Sequence, residues 1–144
     1  MVLVLNTASA IISFTKKLEE CSARIYEDLA ENTDDTKKRD FFLSLASESR
    51  KNSAIVEEAY YGVISDQVES SFFEPLNSEE YEIDVKESRD LEGIIEIEDR
   101  IQGFYIDAAN LLRPFLPDVS NAFKRVTKRR KKRWERLSEA MSDG

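Results

Sequence analysis

The sequence contains no histidine among its 144 residues. Histidine is the commonest metal ligand and the usual acid–base side chain near neutral pH. Its absence excludes Ser–His and Cys–His nucleophiles, histidine-ligated zinc and the usual non-haem iron sites. The chain also has a single cysteine, Cys21. It therefore cannot form an intramolecular disulfide, and export to an oxidising compartment is not implied.

Helix breakers are scarce too, with only four glycines and three prolines in the chain. Charged residues make up 35% of the sequence, which favours a helical protein with solvated faces. The apolar run from Val2 to Phe14 has no preceding basic residue and is too short to span a bilayer. These features predict a cytoplasmic protein without a membrane segment. The length predicts a single domain over residues 1–144.

The spacing of apolar residues predicts four helices. They are helix A at about 7–31, helix B at about 36–64, helix C at about 85–112 and helix D at about 118–141. Asp84 and Glu87 form a plausible capping pair for helix C. The A–B and C–D connections are short, whereas residues 65–84 can cross from one end of a bundle to the other. The sequence therefore predicts an all-α, four-helix up-down bundle of two antiparallel hairpins with a long B–C crossover.

An internal repeat relates helix A to helix C. Corresponding residues lie 79 positions apart. They are an aliphatic residue followed by Glu, an apolar residue followed by Tyr, and an alanine. They are Leu18-Glu19 with Ile97-Glu98, Ile25-Tyr26 with Phe104-Tyr105, and Ala30 with Ala109. Two similar hairpins joined by a long connection are the ferritin-like plan.

Two segments carry a more specific resemblance. Residues 18–30, LEECSARIYEDLA, and residues 41–52, FFLSLASESRKN, resemble helices of the rubrerythrin-like branch of the ferritin-like superfamily. The first is similar to a helix with Glu followed by Phe-Tyr-x-x-Leu-Ala. The second is similar to a Phe-x-x-Leu-Ala-x-Glu-Glu-x-x-His helix. The resemblance implies a ferritin-like bundle with a di-iron site. Helices A and C each supply one Glu, and helices B and D each supply a Glu-x-x-His pair.

Most of the ligands implied by this resemblance have been replaced. Glu19 and Glu98 match the two single glutamates and survive. The Glu-x-x-His pair of helix B falls on Ser49 and Asn52, and that of helix D falls on the two arginines Arg130 and Arg133. Ser and Asn are weak neutral ligands, and Arg is not a metal ligand. The resemblance thus implies a degenerate di-iron site, with no metal, no cofactor and no catalytic residue.

Helical geometry gives these positions a shared environment. Glu19 and Glu98 lie within the apolar arcs of helices A and C, and both arginines lie within the apolar arc of helix D. An unpaired buried charge is destabilising by several kcal/mol. We therefore predict a buried cluster in which the arginines bond the two carboxylates. We expect the hydrogen bonds of this cluster to be completed by Ser49, Asn52, Tyr26 and Tyr105. The alternative is that one or both arginines extend outward to solvent along their alkyl stems.

Three functions are compatible with these features. The first is a non-catalytic module with a binding or assembly role, including a homodimer. The Tyr60-Tyr61 pair and the aromatic residues of the crossover could supply its interface, although a core role suits them better.

The second is a metal-dependent oxidoreductase or peroxidase that uses unusual carboxylate ligands. Glu19, Glu48 and Glu98 would then hold the ion.

The third function is binding of nucleic acid or another acidic partner through helix D. The segment from Lys124 to Arg136 has nine basic residues and one acidic residue, a net charge of +8. The whole chain is −8, so the remainder carries −16. Such a segment can contact phosphates. The competing interpretation is that helix D pairs with acidic helices of the same chain or of a second copy. Cys21, on the apolar stripe of helix A, is predicted to be a small core residue.

Overall fold

The structure is a computed structural model that describes residues 4–63, 75–84 and 90–142. The predicted all-α class is confirmed, since most of these residues are helical and only two short strands are present among them. The four long helices in the described part are α1 Ala8–Glu31, α2 Thr36–Val63, α3 Leu91–Leu112 and α4 Pro117–Ser142. The other elements are strands β1 Val4–Leu5 and β2 Leu76–Asn77 and the short 3-10 helix Ser78–Glu80.

The first helix begins close to its predicted start. Thr7 has an extended backbone, and its hydroxyl accepts a hydrogen bond from the backbone N–H of Ala10 at 3.1 Å. This satisfies one of the N–H groups that the first helical turn leaves without a partner. Helix α1 then continues to Glu31, in agreement with the predicted range.

The third helix begins later than predicted. Asp90 is its N-cap, with φ of −86° and ψ of 171°, and its carboxylate accepts from the backbone N–H of Gly93 at 2.8 Å. A helix running without interruption from Val85 is therefore wrong, because the extended backbone of Asp90 starts a new helix. Of the predicted capping pair, Asp84 lies before this start and Glu87 lies outside the described residues.

Helices α1 and α2 form an antiparallel pair. Near the α2 C-terminus, Lys16 forms an ion pair with Glu57 at 3.9 Å. In the middle of both helices, the Ser22 and Ser49 hydroxyls lie 3.1 Å apart. Higher numbers in α1 thus meet lower numbers in α2, which is the predicted hairpin.

Helices α3 and α4 form the second antiparallel pair. The Ser120 hydroxyl donates to the carbonyl of Ala109 at 2.7 Å, near the turn between the helices. Farther along, the Gln102 side-chain amide donates to the carbonyl of Thr127 at 3.4 Å. Helix α4 begins at Pro117, where a proline is well suited to the first helical turn.

Contacts between the two pairs fix the remaining directions. Hydrogen bonds join Tyr26 to Glu98 and Tyr105 to Glu19, so α1 and α3 are antiparallel. Helix α2 is also antiparallel to α1, so α2 and α3 run in the same direction. The order is up, down, down, up. The long connection between α2 and α3 makes this order feasible, because it links opposite ends of the two helices.

The core contains a chain of aromatic side chains. Phe104 packs edge-on against Phe14, with ring centroids 5.1 Å apart, and against Tyr81, at 5.3 Å. The Tyr81 hydroxyl donates to the carboxylate of Asp107 on α3 at 2.6 Å. The aromatic crossover residue Tyr81 therefore packs on the helices, as expected. The other crossover aromatics, at positions 72 and 73, lie outside the described residues.

Two further predictions concern single side chains, and a third concerns membrane-spanning helices. Cys21 is half-buried rather than a core residue, and burial raises the pKa of its thiol. Of the adjacent tyrosines, Tyr60 is buried and Tyr61 is 66% exposed. A core role therefore fits only the first of this pair. Within the described ranges, no helix is both long and apolar enough to cross a membrane.

Candidate functional site

The centre of the molecule contains one arginine between two glutamates. Glu19 on α1 and Glu98 on α3 are 0% and 4% exposed, and Arg130 on α4 is 0% exposed. The Arg130 Nη1 donates to both Glu98 oxygens, at 2.7 and 2.9 Å. Its Nε donates to Oε2 of Glu19 at 3.3 Å, and its Nη2 donates to Oε1 of Glu19. A single guanidinium thus bridges the two carboxylates.

Two tyrosines bond the same carboxylates in a reciprocal arrangement. The Tyr105 hydroxyl donates to Glu19 at 2.5 Å, and the Tyr26 hydroxyl donates to Glu98 at 2.6 Å. Each tyrosine lies seven residues after the glutamate of its own helix and bonds the glutamate of the other helix. The repeat seen in the sequence therefore has a structural counterpart, an approximate twofold relation between α1 and α3.

The second predicted arginine, Arg133, is also fully buried. Its Nη2 donates to the Ser49 hydroxyl at 3.1 Å and lies 3.5 Å from Oε1 of Glu98. Its guanidinium lies over the ring of Tyr26, 5.3 Å from the centroid. The Nε and Nη1 of Arg133 have no hydrogen-bond partner among the residues that the structure describes. The alternative in which these arginines reach solvent is wrong, because both side chains are enclosed.

The remaining predicted members divide into two groups. Ser49 belongs to the cluster, since its hydroxyl contacts both Arg133 and the hydroxyl of Ser22. Asn52 is buried, but its Oδ1 accepts from Nε of Arg129 at 3.0 Å. The structure therefore does not bring Asn52 to the carboxylates. Its neighbour Glu48 lies 3.9 Å from Arg129, away from the other two glutamates of the alternative metal site.

Ser22 and Arg129 are cluster neighbours that the sequence did not indicate. Ser22 is fully buried, and its hydroxyl accepts from Nη2 of Arg130 at 3.4 Å. It lies three residues after Glu19, on the same helical face, and this spacing is the signal that could have identified it. Arg129 offers no comparable signal, because it is one of several adjacent basic residues in α4.

The charges of the cluster stabilise one another. Burial alone would raise the pKa of Glu98, but Arg130, Arg133 and the Tyr26 hydroxyl together lower it to about 2. Burial alone would lower the pKa of Arg130, but Glu19 and Glu98 raise it well above its ordinary value. Both groups are consequently charged at neutral pH.

The tyrosines are held in their protonated, donating form. Burial, reinforced by the negative charge of Glu98, raises the pKa of Tyr26. Burial and the charge of Glu19 raise the pKa of Tyr105 in the same way. Each carboxylate therefore accepts from an arginine and a neutral phenol at once.

In this arrangement the carboxylates of Glu19 and Glu98 are occupied by hydrogen bonds from other side chains of the cluster. Each accepts from Arg130 and from one tyrosine, so neither is placed as a free base or ligand. Across residues 4–63, 75–84 and 90–142, no three His, Cys, Asp or Glu side chains form a group suited to a metal ion. A cavity of about 240 Å³ between α3 and α4 reaches Glu98, and it is also lined by Asp99, Gln102, Lys131 and Trp134.

Comparison with protein-family models, curated proteins and solved structures gives no match for this chain. The residues of the cluster and the helices that position them are therefore the basis for a functional proposal.

Proposed function

We propose that this protein is a non-catalytic member of the ferritin-like superfamily, of the rubrerythrin-like branch, with a binding or assembly role in the cytoplasm. In this proposal the guanidinium of Arg130 takes the place of the two metal ions. The observation that carries it is the set of hydrogen bonds from Arg130 to both Glu19 and Glu98. These glutamates match the two metal ligands that the resemblance retains.

The arrangement of the helices supports the same proposal. Two antiparallel hairpins with an up, down, down, up order and a long central connection correspond to a ferritin-like four-helix bundle. The reciprocal bonds of Tyr26 and Tyr105 also fit a bundle built from two related hairpins.

A metal-dependent oxidoreductase or peroxidase is the alternative activity. Its cation would have to enter a site where Arg130 and Arg133 already neutralise Glu19 and Glu98. Arginine keeps its charge at all ordinary pH values, so it repels a divalent ion at such short range. Glu48 does not offer a replacement ligand nearby, since Arg129 and Arg136 lie 3.9 Å from its oxygens.

One observation favours a binding role through α4. Five of its exposed basic residues make no ion pair within 4.0 Å in the part of the chain that the structure describes. They are Lys124, Arg125, Lys128, Lys131 and Lys132. Pairing within the described residues therefore accounts for the other four basic residues of the segment but not for these five. A partner that carries acidic groups, nucleic acid included, would supply the missing countercharges.

The proposal that this chain is a ferritin-like protein with a lost di-iron site is tested by restoring the lost metal ligands. A variant with Ser49→Glu, Asn52→His, Arg130→Glu and Arg133→His recreates the ligand set that the resemblance implies. We expect it to bind about two divalent ions per chain, as di-iron bundles do, when titrated with Fe²⁺ or Mn²⁺ under calorimetry. The unaltered protein should bind none under the same conditions. A helical variant that does not bind metal would contradict the proposal.

A partial variant provides the matched control. It carries only Ser49→Glu and Asn52→His and keeps both arginines. We expect no metal binding, because Arg130 still occupies the space between Glu19 and Glu98. Binding by this control as strong as that of the complete variant would show that arginine is not what excludes the metal. Circular dichroism of each variant establishes that it is helical before titration.

A further inference from the structure

The outer face of the α3–α4 hairpin is acidic at one end and basic at the other. The exposed residues Glu92, Glu96 and Asp99 follow one row along α3 at helical spacing. The exposed residues of the matching row on α4 are Lys124, Lys128 and Lys131, followed by Glu135. We call the surface formed by these two rows the α3–α4 face.

The two rows lie side by side. Lys124, Lys128 and Lys131 line one groove together with Ile106 and Asn110 of α3. Lys131 also shares a second cavity with Asp99. Because the helices are antiparallel, Glu135 lies at the same end as the N-terminus of α3. The face therefore has an acidic half, Glu92, Glu96, Asp99 and Glu135, and a basic half, Lys124, Lys128 and Lys131.

These charges are not neutralised within the described part of the chain. None of the seven makes an ion pair within 4.0 Å there. The α1–α2 side of the molecule is different. There Arg50 donates to both Glu20 and Glu27 at 3.0–3.2 Å. These charges of α1 and α2 are thus paired within the chain, whereas the seven of the α3–α4 face are not.

We infer that the α3–α4 face binds a second copy of this chain in a twofold-symmetric dimer. A rotation of 180° about an axis that lies in the interface, perpendicular to the helices at the level of Lys131, places most of the acidic half of each copy over the basic half of the other. The row on α4 is self-complementary, since Glu135 of one copy approaches Lys128 of the other. This inference rests on the proposed binding role and names its partner.

The sequence of acidic and basic residues along the face favours a second copy over a long polyanion as the partner. A phosphate chain lying along the face would meet the acidic half, which repels it, and the whole molecule carries −8. A partner must present both signs in the reverse order, and another copy does so by symmetry. The surface also permits close approach. Nothing lies within 4 Å of the point where Gly103 would carry a Cβ, and Ile106 is 44% exposed.

The inference is tested by charge reversal and analytical ultracentrifugation at low salt. The first variant carries Lys124→Glu and Lys128→Glu, and the second carries Glu92→Lys and Glu96→Lys. We expect the unaltered chain to dimerise and each variant alone to associate about a hundredfold more weakly, because like charges then face each other. An equimolar mixture of the two should recover a 1:1 dimer, since one face is then acidic except at Lys131 and the other is basic except at Asp99 and Glu135. Added salt should weaken both dimers.

A control with Lys37→Glu and Lys51→Glu changes exposed charges on α2 and should leave dimerisation unaltered. A monomeric unaltered chain, variants that dimerise as well as the unaltered chain, or a mixture that stays monomeric would each overturn the inference. Retention of a monomeric chain on a phosphate polymer would favour a polyanion instead. None of these results involves metal, so they are distinguishable from a failure of the proposed function, which metal titration reports.

Discussion

At the scale of single residues, Arg130 is the side chain on which the cluster depends. Its planar guanidinium has five N–H donors in a fixed fork, which suits carboxylates on two sides. A lysine in its place would carry the same charge but could not present parallel hydrogen bonds to both. The structure uses this property, because Arg130 contacts four carboxylate oxygens from two helices.

Replacement of this arginine should destabilise the fold strongly. We expect Arg130→Met to lower the free energy of unfolding by about 3–5 kcal/mol, because it leaves two buried carboxylates without their shared countercharge. Urea unfolding at pH 7 measures this difference. Lys124→Met removes an exposed positive charge from the same helix and should change stability by less than about 0.5 kcal/mol. Equal effects of the two substitutions would contradict a buried, bonded role for Arg130.

The two buried tyrosines should each contribute through their hydroxyl groups. Tyr26→Phe and Tyr105→Phe each remove a hydrogen bond to a charged acceptor, and we expect a loss of about 1.5–3 kcal/mol for each. Tyr61→Phe is the matched control, since Tyr61 is 66% exposed. Thermal and urea unfolding of the three variants gives the comparison. If both buried substitutions are as mild as the control, the reciprocal hydrogen bonds are not stabilising.

The pKa of Glu98 predicts a specific sensitivity to acid. It is lowered from 4.5 to about 2, so the unfolded chain binds this proton more readily than the folded one. The resulting stability is fully present above pH 4.5 and is lost as the pH falls towards 2, by on the order of 3 kcal/mol. We expect Glu98→Gln to flatten the pH dependence of unfolding in this range. Identical slopes in both proteins would contradict the assigned shift.

At the scale of secondary structure, periodicity predicted most of the helix boundaries. Long segments without breakers leave few alternatives to a helix, so α1, α2 and α4 were located within a residue or two. The start of α3 was misplaced because Asp84 and Asp90 are both competent N-caps in sequence. Only the backbone shows that the cap is Asp90, whose carboxylate accepts from the N–H of Gly93.

The cap of α3 gives a prediction for this helix. Asp90→Ala removes the side-chain acceptor and should lower the free energy of unfolding by about 1 kcal/mol. Asp90→Asn keeps an acceptor of similar reach and should retain most of the stability. Denaturation of the two variants under identical conditions provides the measurement. The cap would be shown to be unimportant if alanine and asparagine proved equivalent to aspartate.

Sequence periodicity could predict which residues of the site face inward, because that depends on each helix separately. A rotation of about 100° per residue places Glu19, Glu98, Arg130 and Arg133 on inward faces, whatever the details of packing. The choice of partners is a different matter, because it depends on the relative position of two helices. Asn52 shows the difference, since it is inward-facing as expected but bonds Arg129 instead of the cluster.

At the scale of the whole molecule, charge is arranged in two ways. Inside, two carboxylates and two guanidinium groups form a set with no net charge, shared by α1, α3 and α4. Outside, acidic and basic residues are separated along the α3–α4 face. Under our proposals, the interior arrangement would make the folded state independent of metal supply, and the exterior arrangement would provide a surface for a second copy.

The metal content of the purified, unaltered protein tests the central claim most directly. The protein is produced with added iron and manganese, purified without chelators, and analysed by elemental mass spectrometry together with its melting temperature before and after EDTA treatment. Since Arg130 bridges Glu19 and Glu98, we expect no stoichiometric metal and an unchanged melting temperature. About two iron or manganese ions per chain, as in di-iron bundles, with a melting temperature that falls when they are removed, would contradict the account.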